Sequence, residues 1–184
     1  MNTFIFRKYD IRGIVKKDFP KDVVINIAKA FGTYVIRSGG EKISISGDIR
    51  HTTPTLKQWF IQGLLEVGIT VIDLGIIPTP TNYFSMFHLD IDGAVQITGS
   101  HNPPGYNGFK LSYKKKAFYG EQIQELKSLI DINDFEKSNN GRLIVKDILD
   151  DYIKMLKDKI HISKPMKVVM DCGNAAACLV APKI

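Results

Sequence analysis

Apolar residues recur along the chain with two different periods, and the switching between them sets out a repeating order of strands and helices. Behind Pro20, residues Val23, Val24, Ile27, Ala28, Phe31 and Val35 fall on one face of a helix that Gly39-Gly40 ends. Pro20 suits the first turn of that helix, where a missing N–H is harmless. Ile43-Ser44-Ile45-Ser46 alternates as a strand does and runs into Gly47-Asp48-Ile49-Arg50. Thr52 or Thr53 can cap a helix starting at Pro54, with Leu56, Phe60, Leu64 and Val67 as its buried stripe and Gly68 as its end. Residues 69–74 predict a strand, and Pro78 and Pro80 mark a turn before a short helix over 81–87. A buried strand over 93–98 and an extended segment over 108–112 follow, then helices over 121–130 and 148–160.

This order predicts an α/β fold, with a mixed, mostly parallel sheet covered by helices on both faces. After Ser163-Lys164-Pro165, the apolar run 166–170 predicts a new strand leading into Asp171-Cys172-Gly173-Asn174, and 175–180 can begin a helix. A lone strand and helix leave apolar faces that need partners. Residues 1–164 are therefore expected to form one α/β domain and 165–184 the truncated start of a second, similar domain, the alternative being that the tail adds an edge element to the first.

Composition narrows the function classes. The 184 residues are 44% apolar, enough for one domain with a substantial core. No apolar run reaches the ~18 residues of a membrane span, and the start MNTFIFRKYDIRG lacks a secretory-signal pattern. The net charge of +6 suits phosphates but is dispersed, so no nucleic-acid surface is expected. Lys114-Lys115-Lys116 reads as a solvated turn. Two cysteines, Cys172 and Cys178, support neither a disulfide framework nor a four-ligand zinc site, so reduced thiols and a cytoplasmic location are expected.

The candidate chemistry concentrates in TGSHNPPGYNGFK at 98–110. Ser100 can accept a phosphoryl group and pass it back, splitting a difficult transfer into two steps. His101 and Lys110 can supply positive charge or move a proton, and Asn102 and Asn107 can donate side-chain hydrogen bonds to phosphate. Gly99, Gly105 and Gly108 permit close backbone approach or positive-φ turns, while Pro103-Pro104 restricts the loop. Adjacency of Ser100 and His101 points their side chains apart in most conformations, and no G-x-S-x-G elbow occurs.

Two further polar clusters accompany the loop. In Gly47-Asp48-Ile49-Arg50-His51-Thr52, Arg50 can clamp phosphate bidentately and can pair with Asp48 to fix the loop, two compatible readings. His51 has no metal-ligating partner at helpful spacing. In Arg7-Lys8-Tyr9-Asp10-Ile11-Arg12-Gly13, Tyr9 and Arg12 can serve an anionic ligand while Asp10 orients Arg12. Both the Walker pattern and G-x-G-x-x-G are absent, so phosphate chemistry here need not involve a nucleotide.

FRKYDIRG at 6–13, GDIRHTTP at 47–54, TGSHNPPGYNGFK at 98–110 and VVMDCGNAAA at 168–177 together resemble the amino-terminal portion of the α-D-phosphohexomutase family, most of all its bacterial phosphomannomutase/phosphoglucomutase group. The resemblance implies interconversion of mannose or glucose 1-phosphate and 6-phosphate through a bisphosphorylated sugar. It makes Ser100 the phosphoserine and Lys110 the proton-transfer residue. Tyr9 and Arg12 become active-site residues, and His101 and Asn102 members of the loop around the phosphoserine. Mg²⁺ is implied as cofactor, touching the Ser100 phosphate or hydroxyl oxygen. The three aspartates of that family's metal loop, its sugar-recognition loop and its carboxy-terminal phosphate loop are absent from the chain. The partners implied are phosphorylated hexoses, a hexose bisphosphate and the missing carboxy-terminal domains, with neither nucleic acid nor membrane, and the isolated chain is expected to be inactive. An exposed apolar tail is expected to favour non-native self-association. The alternative is a noncatalytic sugar-phosphate-binding or regulatory module. Thr52 stands where serine is commoner in the family, and Ala175 where glycine is usual.

Overall fold

A computed structural model describes residues 2–184. Among these residues seven strands form one sheet: β1 (Ile11–Ile14), β2 (Lys42–Gly47), β3 (Thr70–Ile76), β4 (Gly93–Ile97), β5 (Tyr106–Tyr113), β6 (Lys116–Ala117) and β7 (Arg142–Val145). The helices are α1 (Val15–Asp18), α2 (Lys21–Arg37), α3 (Thr53–Glu66), α4 (Thr79–His88), α5 (Glu121–Asp131) and α6 (Leu149–Lys159). The strand order is β1-β5-β4-β2-β3-β7, with β6 beside β5. Strands β4, β2, β3 and β7 pair in parallel, and β5, β1 and β6 join them antiparallel. This is the mixed, mostly parallel α/β sheet that the pattern of the chain predicts.

Alternation along β2 decides what each face of the sheet carries. Ile43 and Ile45 join Val71, Val95, Ile97 and Phe109 in the main core, which α2, α3 and α5 close with Val24, Ile27, Phe31, Phe60, Leu64 and Leu126. Each large side chain taken from water there contributes roughly 1.5–3 kcal/mol. Ser44 and Ser46 point to the opposite face, toward α4. Ser44 Oγ lies 3.0 Å from Ser85 Oγ, and the Asn82 amide donates to Ser46 Oγ at 2.7 Å. A smaller apolar cluster of Leu74, Ile77 and Ile148 packs on this second side with Phe84 and Leu149. Helices therefore cover both faces.

The structure departs from the sequence pattern at the margins. Pro20 is the residue before α2 rather than its first helical residue. Strands β1 and β7 are additions at the two edges. Lys114 and Lys115, both at positive φ, form the two-residue hairpin turn between β5 and β6. The predicted strand over 166–170 does not form. A strand needs a ladder partner for its backbone groups, and none of the described strands pairs with this run, whose Val168 and Val169 are 69% and 93% exposed. Beyond it lie two short 3-10 turns, Ala176–Leu179 and Ala181–Lys183, anchored by buried Ala176 and Val180.

Candidate active site

The loop between β4 and β5 and the segment between β2 and α3 leave neighbouring strand ends together. They wall a cleft of about 610 Å³ with the start of α4 and residues 173–177. Ser100 and Asn102 line it, as do Arg50, Thr98 and Gln96.

Ser100 sits at φ 52°, a left-handed conformation that a non-glycine residue holds only under constraint. Its exposed hydroxyl lies 3.3 Å from His101 Nδ1. The two side chains therefore meet, contrary to the divergence expected of sequence neighbours, because the left-handed turn at Ser100 folds the chain back on itself. His101 is itself exposed.

Arg12 reaches the loop from β1. Its buried guanidinium donates to Gly99 O at 2.6 Å, to Asn102 Oδ1 at 3.3 Å and to Asp10 Oδ2 at 2.5 Å. Lys110 on β5 places its ammonium 3.9 Å from the same Asp10 oxygen. One carboxylate thus ties the arginine and the lysine together. Tyr9 stands outside this cluster, 66% exposed, beside Tyr119 with ring centroids 6.3 Å apart.

Two residues expected to bind phosphate are used differently. Asn107 is fully buried: its amide donates to Thr52 Oγ1 and Thr53 Oγ1, and its Oδ1 accepts the Gly108 N–H. No polar atom of it is left for a ligand, so it braces the start of α3 instead. Arg50 directs its fork at four loop carbonyls, those of Ser100, Asn102, Pro103 and Tyr106, at 2.6–3.1 Å. Its Nε lies 3.4 Å from Asp48, so the geometry matches the loop-fixing one of its two readings. Gly99 makes room for this fork, because a Cβ there would lie 2.2 Å from the guanidinium carbon.

Two participants, Gln96 and Tyr83, carried no distinct chemical signal in the sequence, and Asp48, expected only as a partner of Arg50, has a wider role. Asp48 accepts from Thr53 Oγ1, Thr98 Oγ1 and the backbone N–H groups of Arg50 and Gly99. Gln96, fully buried, accepts from Ser46 and donates to Ile77 O beneath the cleft. Partial burial raises the pKa of the Tyr83 phenol on α4 above its ordinary value, and the charge of Asp10 adds to this. Among the described residues no group of three or more histidine, cysteine or acidic side chains could hold a metal ion. No helix there is long and apolar enough to cross a membrane.

Residues 3–137 match the family model for the alpha/beta/alpha domain I of phosphoglucomutase/phosphomannomutase. The chain is 41% identical over 180 residues to a phosphomannomutase/phosphoglucomutase of Pseudomonas aeruginosa, covering 98% of this chain and 39% of that protein. It is 36% identical over 181 residues to a phosphoglucomutase of Neisseria meningitidis, with the same two coverages. A crystal structure of a phosphoglucomutase/phosphomannomutase family protein from Burkholderia thailandensis superposes with a TM-score of 0.87 at 38% identity, covering 92% of this chain and 39% of that one. The chain thus spans about two fifths of the length of the relatives it matches. Fold, cleft and similarity agree: the chain belongs to the phosphoglucomutase/phosphomannomutase family, within which residues 3–137 correspond to domain I.

Proposed function

We propose that this chain is the catalytic-serine portion of a phosphohexomutase that interconverts the 1-phosphate and 6-phosphate of mannose or glucose. The observation that carries the reading is the exposed Ser100 hydroxyl, held at a constrained φ in the cleft on a loop to which Arg12 donates at Gly99 O. In the transfer, Ser100 Oγ attacks a phosphorus of a hexose bisphosphate. The Oγ–P bond forms, the bond from phosphorus to the sugar oxygen breaks, and the serine proton is passed on while the sugar oxygen gains one. That bisphosphate arises in the preceding half-reaction at the other end of the sugar, where the free hydroxyl of a hexose monophosphate attacks the phosphorus of phosphorylated Ser100. The sugar O–P bond forms, the Oγ–P bond breaks, the hydroxyl gives up its proton and Ser100 Oγ gains one, after which the bisphosphate reorients. Lys110 is the residue proposed to move the proton at the sugar oxygen, with Asp10 holding its ammonium. His101 and Asn102 shape the loop, Arg12 fixes it from β1, and Tyr9 offers an exposed ring and hydroxyl to the sugar.

Mg²⁺ at the Ser100 oxygen belongs to this proposal, but the described residues do not supply its donor set. Asp48 is committed to four internal hydrogen bonds and Asp10 to Arg12. The ion would need carboxylates from elsewhere, and no step is derived through it. Residues 165–184 are proposed as the start of a second domain, and activity as a property of the longer protein.

Intact-mass measurement after incubation with glucose 1,6-bisphosphate and Mg²⁺ tests the reading. The expected result is a gain of one phosphoryl group that localises to Ser100 and is lost in Ser100→Ala. A stable chain that never acquires phosphoryl overturns it. Mutase turnover by the 184 residues alone, abolished by Ser100→Ala, overturns the assignment of activity to the longer protein.

A further inference from the structure

We infer that Asp48, Thr98 and Arg50 are positioning residues that set the backbone of Ser100 before any ligand arrives. The inference rests on the phosphoryl-transfer reading for its purpose, though not for its geometry. The Ser100 N–H donates to Thr98 Oγ1 at 2.9 Å. The Thr98 hydroxyl proton is committed to Asp48 Oδ2 at 2.8 Å, so the lone pairs of that oxygen are left for the Ser100 amide. The same Asp48 oxygen accepts the Gly99 N–H at 3.0 Å. On the other side of the serine, Arg50 Nη2 donates to Ser100 O at 3.1 Å and to Asn102 O at 2.6 Å.

Both backbone polar groups of Ser100 are therefore pinned, one through a carboxylate–hydroxyl relay and one through a guanidinium. A sparsely populated φ persists only where the surroundings over-determine it, and here they act on both sides of the residue. Thr98 is 5% exposed and the Asp48 side chain is mostly shielded, so the relay on the amide side operates with reduced competition from water, while the Arg50 bond to Ser100 O is open to solvent. None of the three residues bonds to the reactive Ser100 Oγ, which lies against His101 Nδ1. They act through the backbone and leave the side-chain oxygen free. A further consequence is that the Ser100 N–H is spent internally and does not serve as a donor to phosphate.

Amide-resolved hydrogen exchange and carbon chemical shifts of the 184-residue chain test the relay in Thr98→Val, Thr98→Ser and Arg50→Lys. The valine keeps the shape and removes the hydroxyl; the serine keeps the hydroxyl. In Thr98→Val the Ser100 and Gly99 amides are expected to exchange up to about tenfold faster, the factor that loss of one hydrogen bond allows. The Ser100 shifts should leave their left-handed values while β2 and β4 amides stay protected, and Thr98→Ser should restore the wild-type pattern. Arg50→Lys should loosen the Ser100 and Asn102 region in the same local way, which covers the case in which Thr98→Val fails to fold. Unchanged Ser100 shifts and protection in a folded Thr98→Val or Arg50→Lys overturn the inference. So does loosening spread evenly over the sheet, which marks a merely structural role. In the same samples, phosphoryl uptake at Ser100 should slow in Thr98→Val and recover in Thr98→Ser. Absence of uptake in the wild type fails the phosphoryl reading alone, because the exchange data stand apart from it.

Discussion

The two faces of β2, β4 and β5 are made by alternate residues of the same three strands, yet they do different work. On one face Ile45, Val95 and Leu111 lie in register across the strands and are buried under α2 and α3. One residue further along, Ser46, Gln96 and Lys110 form the corresponding row on the other face. The apolar row coheres without direction, through area removed from water. The polar row is joined by oriented hydrogen bonds to α4 and ends at Lys110 beside Asp10. A side chain at the edge of the cleft is therefore aimed by neighbours that must be satisfied in one arrangement, whereas the apolar face tolerates repacking and supplies the cohesion.

The comparison is broken most forcefully on the apolar side. Phe109 packs between Phe19 and Phe60, with ring centroids 5.3 and 5.0 Å away. Phe109→Ala is expected to cost about 3–5 kcal/mol from lost burial and the cavity left behind. That corresponds to a fall of roughly 10 °C in melting temperature, read by thermal unfolding. A loss below about 1 kcal/mol would show that this face does not carry the stability assigned to it. On the polar side, Gln96→Leu keeps bulk but strands the Ser46 hydroxyl proton and the Ile77 carbonyl. The expected cost is about 1–3 kcal/mol, the penalty for buried groups left unpaired, measured by urea unfolding. Equal stability of the leucine variant would mean that the network is dispensable to folding.

These two rows also explain what could be read from the chain beforehand. Ile43-Ser44-Ile45-Ser46 showed a strand because its faces differ, and α2 was plain because its apolar residues share one face. Ser100 stood out because serine, histidine and glycines crowd a loop between two apolar runs. Strand β1 was hidden, since Ile11-Arg12-Gly13-Ile14 is short and becomes a strand through pairing with Tyr106–Phe109 far along the chain. Strand β7 is exposed at all four positions and is held by its ladder to β3, so it leaves little side-chain pattern. Asn107 looked like a ligand donor because residue type is visible and direction is not; its burial follows from facing Thr52 and Thr53. Arg50 allowed two compatible readings for the same reason, and the positions of the four carbonyls add that it fixes the loop.

The smallest expected effect concerns a carboxylate held near the apolar core without a strong ion pair. Asp18 accepts from the Asn2 amide and from the Ile14 N–H, each at 2.8 Å. The Asn2 hydrogen bond does most to lower its pKa below the ordinary carboxylate value, with the Ile14 N–H and the charge of Lys17 acting in the same direction and burial opposing them. A lowered folded value means that the folded state prefers the ionised form. The stabilisation is therefore present above the unfolded carboxylate range, about 3.9, and is lost as pH falls through the lower folded value. Asp18→Asn removes the titration, so the stability gap between wild type and variant should narrow from about pH 6 to about pH 3. Urea unfolding across that range reads the gap directly. A gap that stays constant would show that neutral and ionised Asp18 are held equally well, and that the amide donors are not selecting the charge.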